Sequence, residues 1–214
     1  MSPLQHLSNW GSSLQKTDLT PALFIGHGSP MNAIEENQFV SGFRKIASEL
    51  PEIQAILVVS AHWLTRGTAV TAMQNPRTIH DFGGFPQALF EQQYPAPGSP
   101  ELAKTIQSLF AEGTVHEDHE WGLDHGTWTV LKHLYPSAQI PVVQLSIDYQ
   151  LPLKQHFELA TLLQKLRQRG VLIIGSGNIV HNLRAVDFSK INTVGYGYDW
   201  AHESRAFVNE KIAI

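Results

Sequence analysis

Short apolar runs that are too brief for helices place the strongest constraint on how this chain folds. The run AILVVS at 55–60 is rich in β-branched residues and is apolar up to its final serine. Such a run is typical of a strand buried on both faces, as in a parallel sheet covered by helices. Similar runs lie at 22–25, 140–147 and 171–174, and 69–73 is a further candidate strand. The chain therefore predicts an α/β fold with a mostly parallel or mixed central sheet.

Helical patterns fill the stretches between these runs. The apolar residues of 39–50 recur at helical spacing and Pro51 follows them, so 22–60 predicts a strand–helix–strand unit. Further helices are expected at 99–113, 127–135 and 153–170 and from about Trp200 onwards.

Composition restricts the class of protein. The 214 residues contain no obvious linker, so one domain over 1–214 is expected, with 1–20 as a loose N-terminal arm. The net charge is -4 and no run of basic residues occurs, which argues against nucleic acid or an anionic membrane as a partner. No segment approaches the roughly 20 apolar residues of a membrane span, and a cytoplasmic enzyme is expected.

Histidines follow three of the predicted strands. Because the chain has no cysteine, a metal site here must use imidazole, carboxylate, carbonyl or water ligands. His27 stands between two glycines after the first strand, and His62 and His181 follow later strands by a few residues. Parallel strands end at one edge of a sheet, so the three imidazoles are expected to meet there. Three neutral imidazoles form a site suited to Zn(II) or Fe(II).

Each of these residues also has a plain structural interpretation. Histidines after strands can simply bond backbone carbonyls, although three together favour a metal site. His125, between Asp124 and Gly126, is a candidate acid–base residue, or a loop histidine paired with its neighbour. Aromatic residues such as Trp63 and Phe82 can wall a pocket or belong to the core.

Six stretches spread over most of the chain share the pattern of one known family. They are GHGSPMN at 26–32, SAHW at 60–63, IHDFGGFPQALF at 79–90, YPAPGSP at 94–100, WGLDHGTW at 121–128 and GNIVHNLR at 177–184. Together they resemble the class III extradiol ring-cleavage dioxygenases, in particular the 4,5-DOPA dioxygenase-like branch. The resemblance runs from Pro21 to about Val208 and implies a three-layer α/β/α fold with a mononuclear metal site.

The resemblance also implies roles for single residues. His27 and His62 match metal ligands, and His181 matches a residue at the metal that acts as a ligand or as a base. His125 matches a residue beside substrate and oxygen, so His125 and His181 are the expected catalytic residues. The substrate pocket is expected to include Ser29, Trp63, Phe82 and Asp124.

Members of this family usually continue for some tens of residues and contribute another ligand from a His-containing segment. This chain is therefore expected to be short at its C-terminus relative to the family, with the C-terminal part missing. Surface uncovered in this way favours a homo-oligomer.

Three functions remain open from the sequence. The first is ring opening of a catechol such as DOPA with O2, using one divalent metal per chain. Fe(II) is expected for ring cleavage, and Zn(II) is expected in isolated protein because affinity order favours it. The others are a zinc hydrolase, in which three histidines hold an acidified water, and an inactive truncated metal-binding remnant.

Overall fold

The computed structural model of the protein describes residues 17–190 and 193–212. Residues 1–16 of the arm predicted over 1–20 lie outside this range. The chain divides into two compact units, one ending at Gly177 and the other beginning at Asn178. The single domain expected over 1–214 stays a prediction. Among the helices of the described residues, none has the length and apolar character needed to cross a membrane.

The first unit alternates strands and helices. Its strands are β1 (Ala22–Ile25), β2 (Ala55–Ser60), β3 (Leu64–Thr65), β4 (Thr68–Thr71), β5 (Val115–Asp118), β6 (Val142–Gln144), β7 (Ile147–Asp148) and β8 (Val171–Ser176). Its α-helices are α1 (Gln38–Glu49), α2 (Gln87–Phe90), α3 (Pro100–Ser108), α4 (His125–Leu134) and α5 (Leu153–Arg167). A 3-10 helix at Pro30–Ala33 follows β1.

A four-stranded parallel sheet lies at the centre of this unit, in the order β1-β8-β2-β6. The predicted α/β fold with a parallel sheet is therefore confirmed. Two further pairs, β3 with β7 and β4 with β5, form small separate sheets.

The run expected as one strand over 140–147 is divided between two sheets. Leu145 N–H still donates to Val58 O on β2, but Ser146 N–H donates to Ala69 O and Ile147 N–H to Trp63 O. The chain thus leaves the central sheet after Gln144 and takes new partners, which apolar character alone does not reveal.

Side chains alternate between the two faces of the central sheet. On β2, Ile56 and Val58 belong to one buried cluster with residues of α1 and α4. Ala55 and Leu57 belong to another cluster with residues of α3 and α5. Burial on both faces explains the continuous apolar run and yields the three-layer α/β/α arrangement that the resemblance implied.

The register of the sheet brings two strand ends to the same level. Ile25, the last residue of β1, and Ser60, the last residue of β2, both pair with Ser176 at the end of β8. His27 and His62 therefore follow strands that flank β8 on either side. Their side chains start from one edge of the sheet, on opposite sides of Ser176.

The second unit contains the helix α6 (Asp199–Ile212) and 3-10 helices at Leu183–Ala185 and Phe188–Lys190. The helix predicted from about Trp200 is confirmed within one residue of its start.

Candidate metal centre

A serine at the end of β8 determines which nitrogen of His27 carries the proton. His27 is buried, and its Nδ1 lies 2.9 Å from Ser176 Oγ. The Ser176 hydroxyl donates its single hydrogen to Gly126 O in a short hydrogen bond. Its oxygen is then left to accept from His27 Nδ1–H, so Nε2 of His27 keeps its lone pair.

That lone pair faces a second imidazole. His62 Nε2 lies 3.0 Å from His27 Nε2, with the ring centroids 4.8 Å apart. Two imidazole nitrogens at this distance need either a shared proton or a cation between them. The pair is therefore suited to bind one metal ion, which would accept both lone pairs.

His125 joins the same group. One nitrogen from each of His27, His62 and His125 lies within 4.8 Å of the other two. The ring of His125 is 3.9 Å from that of His62 and 5.4 Å from that of His27, measured between centroids. The three residues form a single group that can hold one metal ion, and the donor set fits a divalent transition metal.

The carboxylate of Asp81 contacts two of these imidazoles. Its Oδ2 lies 3.0 Å from His125 Nδ1 in a bent contact and 3.8 Å from His62 Nδ1, and its Oδ1 accepts from His125 N–H. Burial raises the pKa of Asp81, but contact with His125 more than offsets it, so the pKa lies below its ordinary value. Asp81 was not predicted from the sequence as a site residue, although it lies within the family-like stretch at 79–90.

Local backbone pairing explains why Asp81 arrives beside His125. Ile79 N–H donates to Leu123 O, and Leu123 N–H donates to Arg77 O, so this segment runs alongside the start of α4. Asp81 then follows Ile79 by two residues, just as His125 follows Leu123.

Asp124 anchors the N-terminus of α4. Its carboxylate is fully buried; Oδ1 accepts from Ser60 Oγ and Thr127 N–H, and Oδ2 accepts from Gln144 Nε2. This cap starts the helix at His125, two residues before the expected start at Thr127. Asp124 thus links β2, β6 and α4, and its assignment to the substrate pocket stays a prediction.

Glycine at position 126 permits close packing at the centre. A Cβ built there would lie 2.6 Å from Ser60 Oγ and 2.9 Å from His62 Cδ2. Only a residue without a side chain allows α4 to approach the end of β2 and the ring of His62 this closely.

A glycine and an asparagine side chain hold the turn that follows His27. Gly28 adopts a φ of +68°, which a side chain rarely tolerates, and Asn32 Nδ2 donates to His27 O at 2.9 Å. Ser29 caps the 3-10 helix that follows, since its Oγ accepts from Met31 N–H.

Aromatic rings pack near the imidazole group, and that of Phe82 contacts it. Phe82 lies edge-on to His125, with ring centroids 5.6 Å apart, and also contacts Trp128. Trp63 is buried and stacks on Trp121 with nearly parallel rings 5.8 Å apart. The pocket roles expected for Ser29, Trp63 and Phe82 stay predictions.

His181 belongs to the second unit, which begins at Asn178. Its expected role as a ligand or base therefore stays a prediction. The three-imidazole group of the first unit contains His125 in the place that the sequence reasoning gave to His181. Spacing after strands did not identify His125, because it follows a loop and begins a helix.

Residues 21–207 of this chain match the sequence model of a protein family, the catalytic LigB subunit of aromatic ring-opening dioxygenase. The chain is 52% identical over 193 residues to the 4,5-DOPA dioxygenase extradiol of Escherichia coli K12, covering 90% of this chain and 70% of that protein. It is 45% identical over 172 residues to the Beta vulgaris protein of the same name, covering 77% of this chain and 63% of the relative.

A solved structure has the same fold. The crystal structure of an uncharacterized protein from Escherichia coli K12 superposes with a TM-score of 0.75 at 46% sequence identity. The match covers 89% of this chain and 72% of that one.

Proposed function

This chain belongs to the family of the catalytic LigB subunit of aromatic ring-opening dioxygenases, and from that membership we propose that it opens the ring of a catechol with O2. In such a reaction the ring bond beside the two hydroxyl groups breaks. Both oxygen atoms enter the product, one in an aldehyde and the other in a carboxylate. DOPA is the proposed substrate, since the two named relatives above carry it in their names.

The observation that carries the proposal is the partly buried contact between the Nε2 atoms of His27 and His62 in a chain of this family. We propose these two residues as metal ligands. A redox-capable ion held there supplies electron transfer between the catechol and O2, so Fe(II) is the proposed active metal. Zn(II), which has no accessible redox change, is the ion proposed for protein as isolated.

His125 is proposed as the proton-transfer residue. Its ring lies beside that of His62, so a catechol bound at the ligands would come within reach of it. With Nδ1–H turned towards Asp81, the other nitrogen of His125 can accept a hydroxyl proton and later return it. His181 is proposed as a further ligand or base, as its motif implies.

The surroundings support binding of a flat aromatic substrate. Phe82 presents an apolar ring edge-on to His125, and the buried ring of Trp128 packs against Phe82. We propose that these rings, with Trp63 and Ser29, orient the catechol and keep bulk water from the reacting atoms. Asp124 supports the site by anchoring the N-terminus of α4.

The test is anaerobic loading of the purified chain with Fe(II), followed by addition of DOPA and then O2. We expect O2 consumption and a yellow ring-opened product, both lost in His62→Ala. Protein that binds Fe(II) and DOPA but takes up no O2 would overturn the proposal.

The same preparations distinguish a ring-opening dioxygenase from a zinc hydrolase. Hydrolysis of amide or ester panels by the zinc-loaded chain, without O2 uptake by the iron-loaded chain, would favour it, but the family match gives it no support. A homo-oligomer and a cytoplasmic location, both expected from the sequence, stay predictions.

A further inference from the structure

We propose that Asp81 is a positioning residue that sets the tautomer of the imidazoles at this centre. By this inference, its carboxylate keeps the proton of His125, and of His62, on Nδ1, and so leaves Nε2 of both rings with a lone pair. The inference deepens the proposed function, on which its metal-affinity test rests, whereas its tautomer test does not depend on that function.

The position of the carboxylate is fixed by the backbone. Oδ1 of Asp81 accepts from the His125 N–H at 2.8 Å, at the first turn of α4. This bond turns Oδ2 towards the imidazole of the same residue, where it lies 3.0 Å from Nδ1. Because the His125 N–H holds Oδ1 of Asp81, Oδ2 has little freedom to move away from the imidazole of His125.

A carboxylate has no hydrogen to donate at neutral pH, so it selects the form of an imidazole that presents N–H to it. His125 Nδ1 is buried and the contact is bent, so charge rather than ideal hydrogen-bond direction provides the preference. Acidic partners behind metal-site histidines commonly fix ring tautomer in this way.

His62 lies on the other side of the same oxygen. Its Nδ1 is 3.8 Å from Asp81 Oδ2, too long for a hydrogen bond but close enough for the charge to favour Nδ1–H. Its Nε2 is the atom that meets His27 Nε2 at 3.0 Å. With an ion between the rings, Asp81 and Ser176 would thus each keep a proton on Nδ1 of a different ring and leave its Nε2 lone pair for the ion.

The decisive variant is Asp81→Asn. The side-chain oxygen of asparagine can keep the bond to His125 N–H, which turns its NH2 group towards His125 Nδ1. Two donors cannot face each other, so we expect the proton of His125 to move to Nε2. An equivalent exchange of aspartate for asparagine produces the wrong histidine tautomer in the serine protease triad.

The tautomers are read in metal-free, ¹⁵N-histidine-labelled protein at pH 8 by long-range proton–nitrogen correlation, with His125→Gln and His62→Gln used for assignment. We expect the Nδ1–H form of His125 in the unsubstituted chain and the Nε2–H form in Asp81→Asn. The matched control is Asp118→Asn, since Asp118 Oδ1 accepts from the backbone N–H groups of Glu120 and Trp121. It should leave both histidines unchanged.

Zinc affinity, measured by competition with a chelating dye, provides a second readout. We expect Asp81→Asn to bind zinc about 10–100-fold more weakly, and Asp118→Asn to bind it normally. An Nε2–H tautomer of His125 in the unsubstituted chain would overturn the inference, even if the variant fails to fold. An unchanged His125 tautomer in a folded Asp81→Asn variant would also overturn it. Neither result depends on whether the protein cleaves catechols.

Discussion

Ser176 influences the proposed metal centre although it carries no charge and is not a proposed ligand. Its hydroxyl is held between Gly126 O and His27 Nδ1, so the proton of His27 is fixed before any metal arrives. The serine is buried at the end of β8. The tautomer of His27, a proposed ligand, thus depends on a residue that sequence motifs for metal binding do not include.

Replacing this serine tests that dependence. Ser176→Ala removes the acceptor for His27 Nδ1–H and leaves Gly126 O without its donor. We expect affinity for Zn(II) to fall by about 10–100-fold, as for other partners of metal-bound histidines. Titration with a competing chelator measures the effect.

Ser176→Thr serves as the control, because it keeps the hydroxyl and should lose less affinity. Equal metal binding by Ser176→Ala and the parent protein would show that the serine does not prepare His27.

Substitution of His125 separates proton transfer from metal binding. His125→Gln should retain Fe(II), since the Nε2 contact between His27 and His62 does not involve it. Turnover of DOPA should fall by about 10²–10⁴-fold, the usual contribution of a general acid or base. Iron content and initial rate are measured on the same preparation.

His62→Ala is the comparison, because it should lose iron and activity together. If His125→Gln loses its iron to the same extent, His125 is a ligand rather than a proton-transfer residue.

At the scale of the elements, α4 is held at its N-terminus by one buried carboxylate. Asp124 accepts hydrogen bonds from β2, from β6 and from the first turn of its own helix. Since His125 is the next residue, the same contacts determine where its imidazole begins. The cap of α4 therefore also helps to position the imidazole of His125.

Asp124→Asn tests the strength of this anchor. The new NH2 group would face the Nε2 donor of Gln144, and we expect unfolding free energy to fall by about 1–3 kcal/mol. Chemical denaturation of the metal-free protein measures it.

The matched control is Ser99→Ala, which removes the cap of α3, where Ser99 Oγ accepts from Leu102 N–H. That cap has no buried network behind it, so its loss should cost about 1 kcal/mol. If both variants lose the same stability, the contacts of Asp124 with Ser60 and Gln144 contribute little.

Some strands and site residues could be predicted from the sequence, and others could not. Strands β2 and β8 were predicted because burial on both faces leaves a continuous apolar run. Strand β1, at the edge of the sheet and partly exposed, was predicted because its four apolar residues run directly into Gly26. The break after Gln144 was not, because hydrogen bonds from Ser146 and Ile147 to distant partners decide it. Likewise His27 and His62 follow strands and were found, whereas Asp81 lies in a loop whose pairing with the segment before α4 has no periodic pattern.

At the scale of the whole molecule, stability should vary with pH through His133. This residue lies at the end of α4 and its Nε2–H donates to Asn32 O, far along the chain. Burial lowers the pKa of His133, and the charges of Arg44 and Lys132 act in the same direction, although the bond to Asn32 and the charge of Glu36 oppose them. The neutral form is therefore favoured in the folded protein.

The lowered pKa of His133 determines the direction in which stability changes with pH. Stability from neutral His133 is present above its unfolded pKa of about 6.5 and is lost as pH falls through the lower pKa of the folded state. We expect the drop in melting temperature between pH 7.5 and pH 5 to be smaller in His133→Gln than in the parent, with both proteins metal-free. The difference should be modest because the side chain is only partly buried.

His119→Gln provides the comparison, since that imidazole is largely exposed. Identical pH profiles for the parent and His133→Gln would contradict the assignment.

The order of strands in the sheet has a consequence for biosynthesis. The strands before His27 and His62 are complete within the first 60 residues, but β8 lies between them and is made more than 100 residues later. A nascent chain that still lacks β8 has nothing to hold the two imidazoles at their final separation, because long-range pairing must come first. Both imidazoles can therefore bind one ion only after β8, with Ser176 at its end, has been synthesised and has paired between β1 and β2.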